Sequence, residues 1–299
     1  MDNIIDFTNC KVDLSHTYLG ANGQKIAVNY NNEVYMLKFP TLTCENPKAY
    51  SNSIFSEYIS CHIFNLLGFN TQETILGTYT KNNITRYVCA CKDFTDNNHI
   101  LQEFASIKNT IIDSPMNGYG TDLSEVLNTI NEQQSIDSTK LKNFFWDMFI
   151  VDSLLGNFDR HNGNWGFLYN KISNKADIAP IYDCGSCLFP KADDKVLEIE
   201  LNDENELDKR VFIFPNSALK IDDKKINPYQ FIFTHESNDC DEALKRIFPR
   251  IDLTKINEII DNTPIISNIR KRYYKTIIKK RYEEILVPAY KHLILFNKI

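Results

Sequence analysis

The stretch Phe144-Phe-Trp-Asp-Met-Phe-Ile-Val-Asp-Ser-Leu-Leu-Gly-Asn-Phe-Asp-Arg-His-Asn-Gly-Asn-Trp-Gly-Phe-Leu-Tyr169, followed by Ile178-Ala-Pro-Ile-Tyr-Asp-Cys-Gly185, decides how the chain is read. Its first half is apolar at helical spacing, and Gly156 is the residue type that ends a helix by tolerating positive φ. Residues 165–169 read as a strand, and residues 178–183 read as a second one. The loop between helix and strand gathers Asp159, His161, Asn162 and Asn164. A turn that only reverses the chain needs one such residue.

The spacing Asp159-x-x-x-x-Asn164, then Asp183-x-Gly185, fits the arrangement of kinases, in which one Asp meets the acceptor hydroxyl while an Asn and a second Asp hold Mg²⁺. Magnesium takes hard oxygen ligands and retains several waters, so one carboxylate and one amide oxygen beside nucleotide phosphates meet its needs. Two unrelated polar turns would supply the same letters, but the features upstream come in kinase order. Gly20-Ala21-Asn22-Gly23-Gln-Lys25 brings two glycines whose backbone can approach a phosphate, although an ordinary turn has the same composition. Ile26-Ala-Val-Asn-Tyr, Asn31-Asn32 and Glu33-Val-Tyr-Met-Leu-Lys-Phe39 make a β-hairpin, because Asn tolerates the positive φ of a tight turn. Alternation puts Lys38 on one face with Val34 and Met36, either snorkelling from an edge or held for an anion. Residues 51–68 read as a helix stopped by Gly68, with Glu57 on its flank, either solvated or reaching Lys38. Tyr87-Val-Cys-Ala-Cys-Lys-Asp-Phe94 reads as a buried strand leaving this small lobe.

Composition sets the frame around these motifs. In 299 residues, 43% are hydrophobic and 19 are Phe, which requires a packed globular fold. The formal net charge of −6 argues against a surface devoted to nucleic acid. No signal-type start is present, and the longest apolar stretch is interrupted by Asp147 and Asp152, so a soluble cytoplasmic protein with no membrane span is expected. Eight cysteines are too sparse for a disulfide scaffold. Cys184/Cys187 have metal or redox spacing but lack a second knuckle, so buried thiols are expected. The fold class is α+β: a small β-rich N-lobe with one helix over residues 1–95, and a larger, mainly helical C-lobe over residues 96–299, with residues 108–125 as loop. Residues 270–281 carry seven basic side chains, read as a solvated face or a cationic surface for a partner; the acidic run 198–208 stands where it could shape substrate access.

The segments Asn157-Phe-Asp-Arg-His-Asn-Gly-Asn-Trp and Ile178-Ala-Pro-Ile-Tyr-Asp resemble the C-terminal kinase domain of HipA-type proteins. In its short form the chain is most similar to CtkA-like bacterial serine/threonine kinases, and Asp159-Arg-His161-x-x-Asn164 is similar to the catalytic loop of phosphoinositide kinases. The resemblance spans about residues 20–189 and implies a two-lobed protein-kinase-like fold with ATP and Mg²⁺ as cofactors. It implies that Asp159 orients or deprotonates the acceptor, that Asn164 and Asp183 bind the metal, and that His161 positions or tunes Asp159. Lys38, held by Glu57, would contact the α/β-phosphates under the Gly20, Ala21, Asn22, Gly23 and Lys25 loop, which departs from Gly-x-Gly-x-x-Gly. Lys92 and Phe94 would offer backbone groups to adenine. The implied activity is transfer of the γ-phosphate to Ser/Thr of a protein; Ser15, Thr17 and Tyr18 precede the glycine loop and are the expected positions of autophosphorylation. The partners expected are a protein substrate and an antitoxin or host protein, with export without a classical signal as the alternative to a cytoplasmic location. A lipid or small-molecule kinase and a non-catalytic, toxin-type nucleotide-binding protein are the alternatives on this scaffold.

Overall fold

The computed structural model describes residues 4–15, 25–40, 51–112 and 116–296. Gly20, Ala21, Asn22, Gly23, Thr17 and Tyr18 therefore lie outside the described residues. The N-terminal part holds β1 (Ile5–Asp6), β2 (Lys11–Val12), β3 (Lys25–Tyr30), β4 (Glu33–Lys38), α1 (Ser53–Leu66), β5 (Thr74–Lys81) and β6 (Ile84–Lys92). Its six strands form one sheet in the order β1-β5-β6-β4-β3-β2. Both tight hairpins turn on Asn pairs, Asn31/Asn32 at φ 51° and 64° and Asn82/Asn83 at 51° and 60°. Two consecutive left-handed residues match the twist of the flanking strands, and Asn bears that conformation at low cost.

Alternation along the strands divides the sheet's two faces. Tyr35 and Leu37 pack with Phe7, Val28, Phe39, Val88 and Ala90 in an outer core. Met36, Cys89 and Cys91 belong to the main core, which α1 joins. That inner face carries Lys38, paired in register with Cys89. The C-lobe packs against α1 as well, so the helix is buried on nearly every side, Ser56, Glu57 and Ser60 included. A single apolar stripe had suggested a flank position for Glu57, but burial from two directions leaves no exposed flank.

The rest of the chain runs β7 (His99–Glu103), α2 (Phe104–Ile111), α3 (Leu123–Glu132), α4 (Ser138–Leu155), β8 (Gly166–Asn170), β9 (Lys175–Ile178), α5 (Asp194–Asn202), α6 (Glu204–Phe212), β10 (Lys220–Ile221) and β11 (Lys224–Lys225). It ends with α7 (Pro228–Phe233), α8 (Asn238–Ile247), α9 (Leu253–Asn262), α10 (Asn268–Arg281), a π-turn over Tyr282–Leu286 and α11 (Val287–Phe296). Side-chain caps start most of these helices: Asp137 accepts from the Lys140 amide, and Ser267 from that of Arg270.

Two expectations need correction. Residues 108–125 are not one loop: α2 runs to Ile111 and α3 starts at Leu123. Lys108 is fully buried, its ammonium donating to the Gly120 carbonyl at 2.6 Å and to Glu125 at 2.5 Å, so a polar residue ties the connection down from within. Residues 178–183 are not one strand either. β9 ends at Ile178 because Pro180 has no amide to continue the ladder. The chain then crosses to the N-lobe side, where the Ile181 amide donates to the Asn70 carbonyl and the Ile181 carbonyl accepts from Gln72, each at 2.8 Å. No helix among the described residues is long and apolar enough to cross a membrane.

Candidate active site

The site is assembled around α4 and the two loops it supports. Gly156 closes α4 in the left-handed conformation at φ 68°, which turns the chain sharply into the Asp159 loop. The loop is fastened by a pair the sequence motif did not reveal. Arg160 donates through Nε to Asp152 of α4 at 2.9 Å, through one terminal nitrogen to the carbonyls of Asn164 at 2.8 Å and Tyr182 at 2.6 Å, and through the other to Cys184 Sγ at 3.3 Å. One guanidinium thus spans the helix, the Asp159 loop and the Asp183 segment. Asn157 adds to it, donating to Asp152 at 2.8 Å and accepting from the Asp159 amide at 3.1 Å. Asn162 donates to the carbonyls of Gly118 at 2.9 Å and Gly120 at 2.8 Å. The clue was Asp152: an acid on the buried face of an apolar helix needs a cation close by.

The cation from the N-lobe lies on the other side of the cleft. Lys38 Nζ is 3.0 Å from Glu57 Oε2 and 2.9 Å from Asp183 Oδ1. Burial alone would depress the lysine's pKa, but the Asp183 and Glu57 carboxylates hold it well above the ordinary value. Lys38 in turn pulls Asp183 down to about 2. Glu57 moves the other way: burial raises its pKa in spite of Lys38. Asp183 keeps 41% of its side chain exposed and sits at φ 54°, a left-handed backbone that turns its carboxylate segment at the cleft.

Lys25, Lys38, Glu57, Asp159, Asp183 and Lys191 line one cavity of about 170 Å³ between the lobes. Burial raises the Asp159 pKa, and nearby Asp183 adds to the rise while His161 and Lys225 oppose it. Asn164 donates its amide to the Asp159 carbonyl at 2.8 Å. His161 accepts from the Gly163 amide at 3.0 Å, and its ring meets Tyr119 edge-on. Lys92 lies at the end of β6, where its ammonium pairs with Glu33 at 2.6 Å and its amide and carbonyl bond Glu73 and Gln72. Phe94 stacks obliquely on Tyr182, 5.8 Å away.

The basic run is paired within the fold, once with the acidic run itself and otherwise with acids outside it. Arg270 is buried and bonds Asp194, Lys280 bonds Asp208 at 2.8 Å, and Lys275 pairs with Asp261 at 2.7 Å. Most of the expected cationic face of α10 is therefore neutralised within the fold. Cys61, Cys89, Cys91, Cys184, Cys187 and Cys240 are buried free thiols.

The profile of the HipA-like C-terminal domain family matches residues 16–256. The serine/threonine-protein kinase CtkA of Helicobacter pylori is 50% identical over 97% of this chain and 89% of its own. The crystal structure described as a Helicobacter pylori proinflammatory kinase CtkA superposes with a TM-score of 0.92 at 49% identity, covering 98% of this chain and 99% of the other. The HipA of Shewanella oneidensis, solved with HipB and its operator DNA, shares the fold at TM-score 0.58 and 15% identity, over 91% of this chain and 66% of that one.

Proposed function

The chain belongs to the HipA-like C-terminal domain family and is a serine/threonine-protein kinase, and from that premise we propose that it transfers the γ-phosphoryl group of Mg-ATP to a Ser or Thr hydroxyl of a protein, with Asp159 receiving the acceptor. The observation that carries the reading is the convergence of Lys38, Asp159 and Asp183 on one cleft. The donor set fits Mg-ATP: an ionised, partly open carboxylate for a hard cation, and ammonium groups at Lys25 and Lys38 for phosphate oxygens. When bound, the metal neutralises charge developing on the transferred group.

Lys38 and Asp183, which satisfy each other here, each have a second role in that complex. Lys38 turns its ammonium to phosphate oxygens while Glu57 keeps it extended across the cleft. Asp183 would hold the cation, with Asn164, whose amide nitrogen donates to the Asp159 carbonyl, as the second oxygen donor. Asp159 accepts the hydroxyl proton as the new O–P bond forms and ADP leaves. The Gly20, Ala21, Asn22 and Gly23 segment, outside the described residues, would supply amides for the phosphates in this reading, and Phe94 would be the neighbour of adenine. Autophosphorylation would use exposed hydroxyls such as Ser15, whose Oγ lies 2.5 Å from Asp13. Intact mass and peptide mapping after Mg-ATP would detect it.

Asp159→Asn is expected to bind Mg-ATP with nearly wild-type affinity while phosphate transfer from radiolabelled ATP to protein substrates falls by about three orders of magnitude or more. Wild-type turnover in that variant would refute the assignment. Phosphoinositides offered in the same assay separate a lipid kinase from a protein kinase.

A further inference from the structure

A second cavity, of about 300 Å³, opens beside the catalytic cleft, and the two share Phe158, Pro190 and Lys191 as a common wall. This volume lies at the lower end of ligand pockets and suits one or two side chains. Its floor is apolar, with Leu155, Tyr273 and Ile277 contributing. Its lining carries Lys191, Arg210, Lys225 and Arg281 and no Asp or Glu; Arg210 is paired with Glu200 at 2.9 Å behind the wall, which leaves Lys191, Lys225 and Arg281 as the cations facing it. In a chain of net charge −6 that is a local inversion.

Arg281 carries the argument furthest. It is 4% exposed, and its guanidinium donates to the carbonyls of Leu154, Arg210 and Phe214 at 3.3, 2.8 and 3.3 Å. Dipoles therefore solvate the charge without cancelling it, and Nε has no hydrogen-bond partner. A buried cation in that state favours an arriving anion strongly. The mouth is bordered by Phe214, and Phe212, Ile213 and Phe214 form a run exposed at 43, 48 and 46%. Such a run is an uncommon cost on a soluble surface and favours an apolar neighbour beside the anion.

We propose that this cavity is a docking subsite for the acceptor polypeptide, taking an acidic side chain with an apolar neighbour a few residues from the Ser or Thr that Asp159 receives. The inference rests on the kinase reading of the adjoining cleft. A polypeptide is the occupant that continuity favours: extended chain advances about 3.3 Å per residue, so a segment with its hydroxyl at Asp159 passes the shared wall within a few residues.

The test measures binding apart from turnover, because Lys225 also acts on the acidity of Asp159. Fluorescein-labelled Ser peptides carrying Glu, Ala or Lys at each position within four of the acceptor are titrated with the full chain by anisotropy. Glu at one or two positions on one side is expected to bind about ten-fold tighter than Lys there, the scale of one charge-assisted contact. In Lys191→Glu/Lys225→Glu, whose two sites are exposed and whose thermal midpoint should be unchanged, the preference should vanish or invert. Charge-blind binding by the wild type, or a preference unmoved in the double variant, overturns the proposal. So does capture of phosphatidylinositol-phosphate vesicles with no binding of the peptides. Radiolabel transfer is scored separately: selective binding with no transfer to any peptide counts against the kinase reading and not against an anionic subsite.

Discussion

Asp159, the proposed base, stands half-buried, and its acidity follows from its surroundings. Burial lifts its pKa above the ordinary carboxylate value near 4, and the neighbouring His161 opposes that rise. A base must be ionised to accept a proton, so kcat should rise with pH through a limb above about 4. His161→Gln removes the opposing charge and should shift that limb upward; a limb that stays put in kcat–pH profiles of the two proteins would exclude tuning by His161. Asp183 has the opposite sign. Its pKa is lowered to about 2 by Lys38, so the stability it contributes is present above about pH 4 and is lost as pH falls through about 2. That Lys38, Asp159 and Asp183 share one cavity was legible in the sequence, because the proposed chemistry fixes both residue type and spacing; Asn164 does not line that cavity. Arg160 was harder to see, since a buried arginine announces itself only through the acid it faces, and its one signal was Asp152, an acid inside an apolar helix.

Among the elements, the hairpins and helix ends are set by local rules, and these were the parts legible in advance. Asn31/Asn32 marked the β3–β4 turn, and Asn82/Asn83 carries the same signal for β5–β6, a strand pair that the sequence reading did not resolve. Gly156 has a second constraint beyond its φ of 68°: a Cβ there would lie 2.5 Å from an Arg281 terminal nitrogen. Gly156→Ala should therefore lower unfolding free energy by about 2 kcal/mol in denaturant titration, combining left-handed strain with a displaced arginine. A loss under about 0.5 kcal/mol would mean that the guanidinium moves freely. The extent of burial around α1 was not legible, because hydrophobic periodicity reports one covered face and cannot register a second body packed against the other.

At the scale of the molecule, the lobes meet through charge as well as through core. Lys38 on the sheet, Glu57 on α1 and Asp183 on the C-lobe form one ionic group, so removing the lysine strands two carboxylates. Lys38→Met should cost about 3 kcal/mol of stability, the range for breaking a buried ion pair, and Glu57→Gln added to it should restore part of that loss. Simple additivity in the thermodynamic cycle would argue that the pair is not coupled. The α10 cations and the acids of α5 and α6 make the same point from the surface: sequence reads one as a solvated or partner-facing run and the other as a segment shaping substrate access, whereas Arg270–Asp194 and Lys280–Asp208 join them in the fold.

The guanidinium of Arg160, shared by a helix and both acid-bearing loops, has a consequence for how such a sequence can drift. Both acid-bearing loops lean on one planar group, with the Tyr182 hydroxyl donating to the Gly163 carbonyl as a second link at 3.0 Å, so a change at the guanidinium disturbs both at once. Exchanges at positions 152 and 160 would have to arise together, and their kinetic penalties would show strong epistasis.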